Sequence, residues 1–166
     1  DGVVVGNAGV DTNVYLPGDE IDWSREANFS DDRDYVGQAG GYAARGYAQL
    51  GYRTAFVGSL GDDWAGAFVR RELSSDGIDL RGVFPDPAGT ARSVNIMYAG
   101  AAGLGQRKNF YDGKGHMGLS APLEVCRSLL AGARLAHVNI PNWGRQVLAV
   151  ARDGSGVTVR TEAGHH

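Results

Sequence analysis

Two kinds of apolar pattern alternate along this chain. Val3-Val4-Val5 and Thr54-Ala55-Phe56-Val57 are unbroken runs, the pattern of strands covered on both faces in a mostly parallel sheet. Asn13 to Leu16 alternates instead, with Val14 and Leu16 on one side. Ser93 to Tyr98 and Arg107 to Tyr111 alternate as well and flank a Gly-rich connection. Period-two alternation predicts half-exposed strands, the last two forming a hairpin. Leu135 to Ile140 and Val157 to Val159 read as two further strands.

Helical spacing separates these strands. Gly40 to Leu50 gathers Ala43, Ala44, Tyr47 and Ala48 on one side, and Asp62 to Ser74 gathers Ala65, Phe68, Val69 and Leu73. Asp62 and Asp63 stand where a helix dipole favours negative charge. Ser120 and Pro122 open a helix through Leu130, and Arg145 to Arg152 is predicted to be another. Residues 17–34 are polar and acidic without periodicity, which predicts a long loop. Buried strands alternating with helices predict an α/β fold, interrupted by exposed strand pieces. No repeat or linker divides it, so the chain is one domain or part of one.

Composition narrows the function classes. The 166 residues are 43% hydrophobic and 21% charged, with 16 basic against 19 acidic residues and a net charge of −3. The charges are mixed, no basic stripe appears, and nucleic acid is not the expected partner. No apolar run approaches the roughly 20 residues of a membrane helix. Cys126 is the only cysteine, which excludes an internal disulfide and favours a reducing, cytoplasmic setting. The start at Asp1 without Met predicts missing leading residues, and Gly164-His165-His166 reads as the stub of a purification tag.

Several motifs carry possible chemistry. Gly6-Asn7-Ala8-Gly9 follows a buried strand as in a dinucleotide fold, but the third glycine is absent and strand-like residues follow. Gly100 and Gly105 have phosphate-loop spacing, yet Gln106 and Arg107 stand where Lys and Ser or Thr belong, so a hairpin tip is expected. His116 and His137 lack partners at metal-ligand spacing and read as surface or satisfied polar groups. Cys126 reads as a small core residue. Asp11 is placed a few residues beyond a buried strand, at the carboxyl edge of the sheet where ligands bind. A carboxylate there accepts polyol hydroxyls, though a turn-capping Asp is the alternative. Gly37-Gln38-Ala39-Gly40-Gly41 leads into a helix, and small residues there let backbone N–H groups approach a ligand.

In combination these features are more specific. Asp11, the Gly-rich helix entry ending Ala48-Gln49-Leu50-Gly51, and Gly58-Ser59-Leu60-Gly61-Asp62-Asp63-Trp64-Ala65-Gly66 resemble the ribokinase-like, PfkB-type carbohydrate kinase family. Leu73 and Gly77-Ile78-Asp79 continue the likeness, which is good over residues 3–98 and looser over 107–160. The resemblance implies a three-layer α/β/α fold with a mostly parallel central sheet and a small β lid (strands about 13–16, 93–98 and 107–111), here only its amino-terminal part. It implies phosphorylation of a sugar or nucleoside hydroxymethyl group with ATP and Mg²⁺, and a homodimer through the lid.

Residue by residue, Asp11 matches the family's sugar-hydroxyl acceptor and Gly37 the first glycine of its paired-glycine sugar motif. Gln38 stands where the second glycine usually is, Tyr42 where a sugar-binding Asn usually is, and Gly9 where ribokinases have another Asn. These departures keep the fold and point away from ribose. Gly40 and Gly41 complete the helix entry. Asn139, with Asn142 and Trp143 beyond it, follows a late strand where relatives often place a substrate contact. The family's Gly-Ala-Gly-Asp segment, which supplies the phosphoryl-transfer groups, has no equivalent: Gly154-Ser155-Gly156 lacks the Asp. Truncation, an incompletely described longer chain and a natural half-length sugar- or nucleoside-binding module each account for this, truncation being the leading expectation. The chain alone is therefore expected to be inactive and to bind ATP and Mg²⁺ poorly.

Overall fold

The computed structural model describes residues 1–114, 123–139, 147–153 and 156–161. A central sheet of four parallel strands has the order β5-β4-β1-β8, formed by β1 (Gly2–Val5), β4 (Thr54–Leu60), β5 (Asp79–Pro85) and β8 (Leu135–Val138). Successive side chains of a strand point to opposite faces, and Val3 and Val4 divide the core accordingly. Val4 joins Phe56 and Leu60 against helices α1 (Ala39–Gln49) and α2 (Trp64–Ser75). Val3 joins Ala55 and Val57 against α3 (Leu123–Ala131). The unbroken runs are unbroken because both faces are covered, giving the expected three layers.

The alternating strands lie outside that sheet. β2 (Gly9–Tyr15), β3 (Asp31–Gly37), β6 (Ala91–Tyr98) and β7 (Gln106–Asp112) form a second sheet in the order β3-β2-β6-β7. This is the expected lid. β6 and β7 are an antiparallel hairpin whose connection turns at Gly100 and Gly105, with φ of 70° and 69°, so these glycines serve a turn. The Gly6 to Gly9 loop enters strand β2 and not a helix, so no helix start faces it as a dinucleotide fold requires.

Three expectations are corrected. Residues 17–34 are not all loop: β3 begins at Asp31 and, among the described residues, pairs only with β2. Its run of Asp31, Asp32, Arg33 and Asp34 hides the strand in sequence, yet charge is what an exposed edge strand carries to discourage further pairing. Of the helix expected over 145–152, residues 147–152 are strand: β9 (Val147–Asp153) pairs antiparallel with β10 (Gly156–Thr161). A short Val- and Ala-rich run fits either period, and the Gly154-Ser155 pair between the strands was the hairpin signal. Asp11 lies beyond β1 as expected, but the strand read over residues 13–16 begins at Gly9, so Asp11 stands inside β2. The edge strand β5 had no counterpart in the sequence reading.

Smaller expectations hold. His137 is a satisfied polar group, its Nδ1 3.0 Å from the Tyr47 hydroxyl. Cys126 is half-buried against the Val3 cluster, and burial pushes its thiol pKa up. His116, Asn142, Trp143 and residues 164–166 lie outside the described residues.

Candidate functional site

The site forms where the lid crosses the carboxyl edge of the central sheet. Asp11 is buried there, on the face of β2 shared by Gly9, Asn13 and Tyr15. It caps no turn. Gln38 Nε2 donates to its Oδ1 at 3.0 Å, and the Tyr42 hydroxyl donates to its Oδ2 at 2.5 Å. The strand register sets Tyr35 of β3 and Ser93 of β6 on either side of it. Ser93 in turn is 3.1 Å from Gln38 Nε2.

Two glycines make the room. A Cβ on Gly37 would lie 2.1 Å from Asp11 Cγ, so only glycine lets the carboxylate rest against β3. A Cβ on Gly9 would lie 2.2 Å from the Ala91 carbonyl oxygen, so the Asn that ribokinases carry there has no space between β2 and β6. Gly40 and Gly41 serve a different contact. A Cβ on Gly40 would lie 2.5 Å from the Asn7 carbonyl oxygen, and the Gly41 N–H donates to that oxygen at 3.0 Å. They dock the start of α1 on the loop after β1, and the Gly41 N–H is spent on that loop.

Gln38 sits in backbone that side chains avoid. Its φ of 67° and ψ of 155° lie in a region populated essentially by glycine, at a cost of about 1–3 kcal/mol. A glycine, which the family likeness puts at this position, would adopt such a conformation without that cost. Here the conformation carries a carboxamide, bonded to Asp11 and Ser93 and 3.4 Å from Asn7 Nδ2. Tyr42 is also tuned by the site: burial, then its bond to Asp11, push its pKa up to about 12. It is therefore a hydrogen-bond donor at any physiological pH.

Sequence reasoning missed Asn7, Ser93 and Tyr111, which the fold brings to the same place. Tyr111, on β7 opposite Ser93, reaches the Asn7 side chain. The period-two pattern of residues 93–98 and 107–111 was the available signal, since it sets Ser93 and Tyr111 on the face opposite Val94 and Phe110. Asn139 comes to the same sheet edge beside Gly6, its N–H donating to the Val5 carbonyl at 2.8 Å. Its described contacts are with that loop and not with Asp11. A groove lined by Tyr15, Met97 and Arg107 runs along the lid, and Arg107 and Tyr15 both act electrostatically on Tyr42.

The Gly58 to Gly66 signature is a mechanical joint. Asp63 caps α2 by accepting from Gly66 N at 2.7 Å, and it also accepts from Thr90 N at 2.8 Å. Thr90 Oγ1 accepts from Gly61 N at 2.9 Å. Burial opposes ionisation of Asp63, but the Thr90 and Gly66 N–H groups outweigh it and hold its carboxyl below the usual range. Thr90 leads directly into β6, so the signature ties the body of the fold to the root of the lid.

The model of the pfkB family carbohydrate kinases matches residues 3–142. This chain belongs to that family. It is 32% identical over 163 residues to an acarbose 7(IV)-phosphotransferase of Actinoplanes sp., covering 98% of this chain and 52% of that protein. A solved microbiome-derived acarbose kinase superposes with a TM-score of 0.74 at 28% identity, covering 87% of this chain and 47% of the other. A fructokinase from Xylella fastidiosa with bound ATP shares the fold at 18% identity, with a TM-score of 0.62, covering 82% of this chain and 40% of the other. The chain thus spans about half the length of the phosphotransferase and the acarbose kinase. Among the described residues no group of three or more His, Cys, Asp or Glu could hold a metal ion, and no step through a metal is derived for them.

Proposed function

We propose that this chain is the sugar-binding side of a carbohydrate kinase, which in the whole protein transfers a phosphoryl group from ATP, with Mg²⁺, to a hydroxymethyl group of its substrate. The observation that carries this is the convergence on Asp11. A carboxylate offers about four lone-pair positions; Gln38 and Tyr42 take one on each oxygen, leaving acceptor capacity for two substrate hydroxyls. Gly37, Gln38 and Tyr42 shape the wall beside it, with Gly40, Gly41 and Asn139 supporting it from the sheet edge. The lid over the site keeps water from competing with the sugar for the phosphoryl group. Acarbose is the first carbohydrate to test, because the relatives that share most of this chain are named for it.

The lid also supports a homodimer. Its face toward Asp11 is polar and buried, with Ser93 and Asn95 nearly inaccessible. Its opposite face carries Val14, Val94 and Ile96, all half-buried, and Phe110, which is exposed. A small sheet with its apolar side outward is matched to a second copy of itself. No helix among the described residues is long and apolar enough to cross a membrane, and a cytoplasmic setting is retained on the single-cysteine argument.

Calorimetry with acarbose, D-fructose, D-ribose and adenosine, together with a coupled ADP-release assay, tests the reading. The 166-residue chain is expected to bind a sugar without turning it over. Failure to bind any of the four refutes the sugar site. Robust turnover by the isolated chain refutes the assignment of the transfer groups to the rest of the protein.

A further inference from the structure

The amides beside Asp11 form a relay whose direction is set at one end. A carboxylate only accepts, so the Gln38 group 3.0 Å from Asp11 Oδ1 is its NH₂, which also lies 3.1 Å from Ser93 Oγ. Gln38 Oε1 is thereby turned toward Asn7, whose own NH₂ faces it across 3.4 Å. The Asn7 amide then has one remaining orientation, with Oδ1 away from Gln38. Asn7 is 2% exposed, and this oxygen has no hydrogen-bond partner among the described residues. Buried acceptors are rarely left without a donor, and each exception asks for the group that completes it. The position is beside the sugar anchor and under Tyr111 of the lid, which the Asn7 side chain also reaches.

We infer that Asn7 is a second substrate-binding residue, its Oδ1 accepting a hydroxyl of the same carbohydrate that Asp11 holds. Gln38 is the positioning residue that fixes which way the Asn7 amide faces. This rests on the sugar-site reading above and deepens it. Asp11 and Asn7 both present acceptors, so the site selects a ligand that supplies donors on neighbouring positions: a neutral polyhydroxylated or amino sugar, against one bearing a carboxylate or phosphate there. The left-handed backbone of Gln38 is then the means of placing an amide where a glycine would place nothing.

The test is calorimetry of acarbose binding to the intact protein and three variants. Asn7→Leu removes the acceptor, and Gln38→Met keeps the side-chain length while removing the amide. Each is expected to weaken binding about tenfold, equal to about 1.4 kcal/mol. The double variant is expected to lose clearly less than the product of the two single losses, because Gln38 acts in part through Asn7. Gln38→Glu is expected to bind weakly at neutral pH, with two carboxylates facing, and to recover as acid returns a proton to the pair. Tyr42 and Tyr111, the neighbouring phenols, have raised pKa values and stay neutral throughout. Asn7→Ser, too short to reach the ligand, replaces Asn7→Leu should that variant not fold. Losses that multiply in the double variant, or single variants that bind like the unaltered protein, overturn the relay alone. An unaltered protein that binds none of acarbose, D-glucose, D-fructose, D-ribose and adenosine overturns the sugar site and the relay together.

Discussion

The Tyr42 hydroxyl lies 2.5 Å from Asp11 Oδ2, joining the first turn of α1 to the middle of a lid strand across 31 positions of sequence. Tyr42 holds Oδ2 while Gln38 holds Oδ1, so each carboxylate oxygen keeps further acceptor capacity. Asp11→Asn keeps the shape but loses the charge. Hydrogen bonds to charged groups contribute about 1.5–3 kcal/mol, so sugar affinity is expected to fall on the order of 10- to 100-fold. Equal affinity by calorimetry would remove Asp11 from the site.

Tyr42 supplies a pH signature. Its pKa is raised from 10.0 to about 12 by burial and by Asp11, so the folded state favours the neutral phenol. The stabilisation is fully present below pH 10 and is lost as pH rises through about 12. Ultraviolet titration is expected to show late-ionising tyrosine, Tyr42 and Tyr111 both being raised, and the late amplitude is expected to shrink by one phenol in Tyr42→Phe. A late amplitude that stays unchanged assigns it to other tyrosines.

Gly37 and Asp11 are expected to be coupled through space. A Cβ at Gly37 would fall 2.1 Å from Asp11 Cγ, so Gly37→Ala forces the carboxylate from its seat. Overpacking of this kind costs about 1–3 kcal/mol. In an Asp11→Ala background the same change is expected to cost clearly less, since the obstructed group is gone. Thermal unfolding of the four proteins decides it, and additive losses would mean that the clash is relieved elsewhere.

Acid is expected to loosen the lid root before the core. The Asp63 carboxyl is held below its usual range by the N–H groups of Thr90 and Gly66 against the opposing effect of burial. A depressed pKa contributes stability above the unfolded value near 4 that is lost as pH falls through the folded one. Hydrogen exchange at Thr90 and Gly66 is expected to accelerate below about pH 4. In Asp63→Ala it is expected to be fast at every pH, with a loss of about 0.5–2 kcal/mol from the missing cap. Unchanged protection in that variant would show that the two amides do not depend on Asp63.

The outer lid face is expected to be a contact between copies. Ile96→Lys places a charge among Val14, Val94 and Phe110 without touching the Asp11 side of the sheet. Light scattering is expected to show a dimer that becomes a monomer in this variant, with sugar binding preserved. A monomeric unaltered protein at high micromolar concentration would assign the apolar face another cover.

Local pattern was enough to separate the buried strands β1 and β4 from the alternating strands of the lid, because coverage on one face or two leaves its mark in every second residue. It also placed α1 and α2, with their apolar stripes, and singled out Asp11, Gly37, Gln38 and Tyr42 through the family likeness. Charge hid β3, since Asp31 to Asp34 read as loop until β2 supplied the pairing that made them an edge. The segment of β9 fits two periods equally, and only its partner β10 settles it. What no local pattern carries is convergence. Asn7, Ser93 and Tyr111 are ordinary polar residues in their own elements, brought to Asp11 by the crossing of two sheets. The left-handed backbone of Gln38 persists because bonds to Asp11 and Ser93, 27 and 55 positions away, compensate a local preference that the sequence alone would have followed.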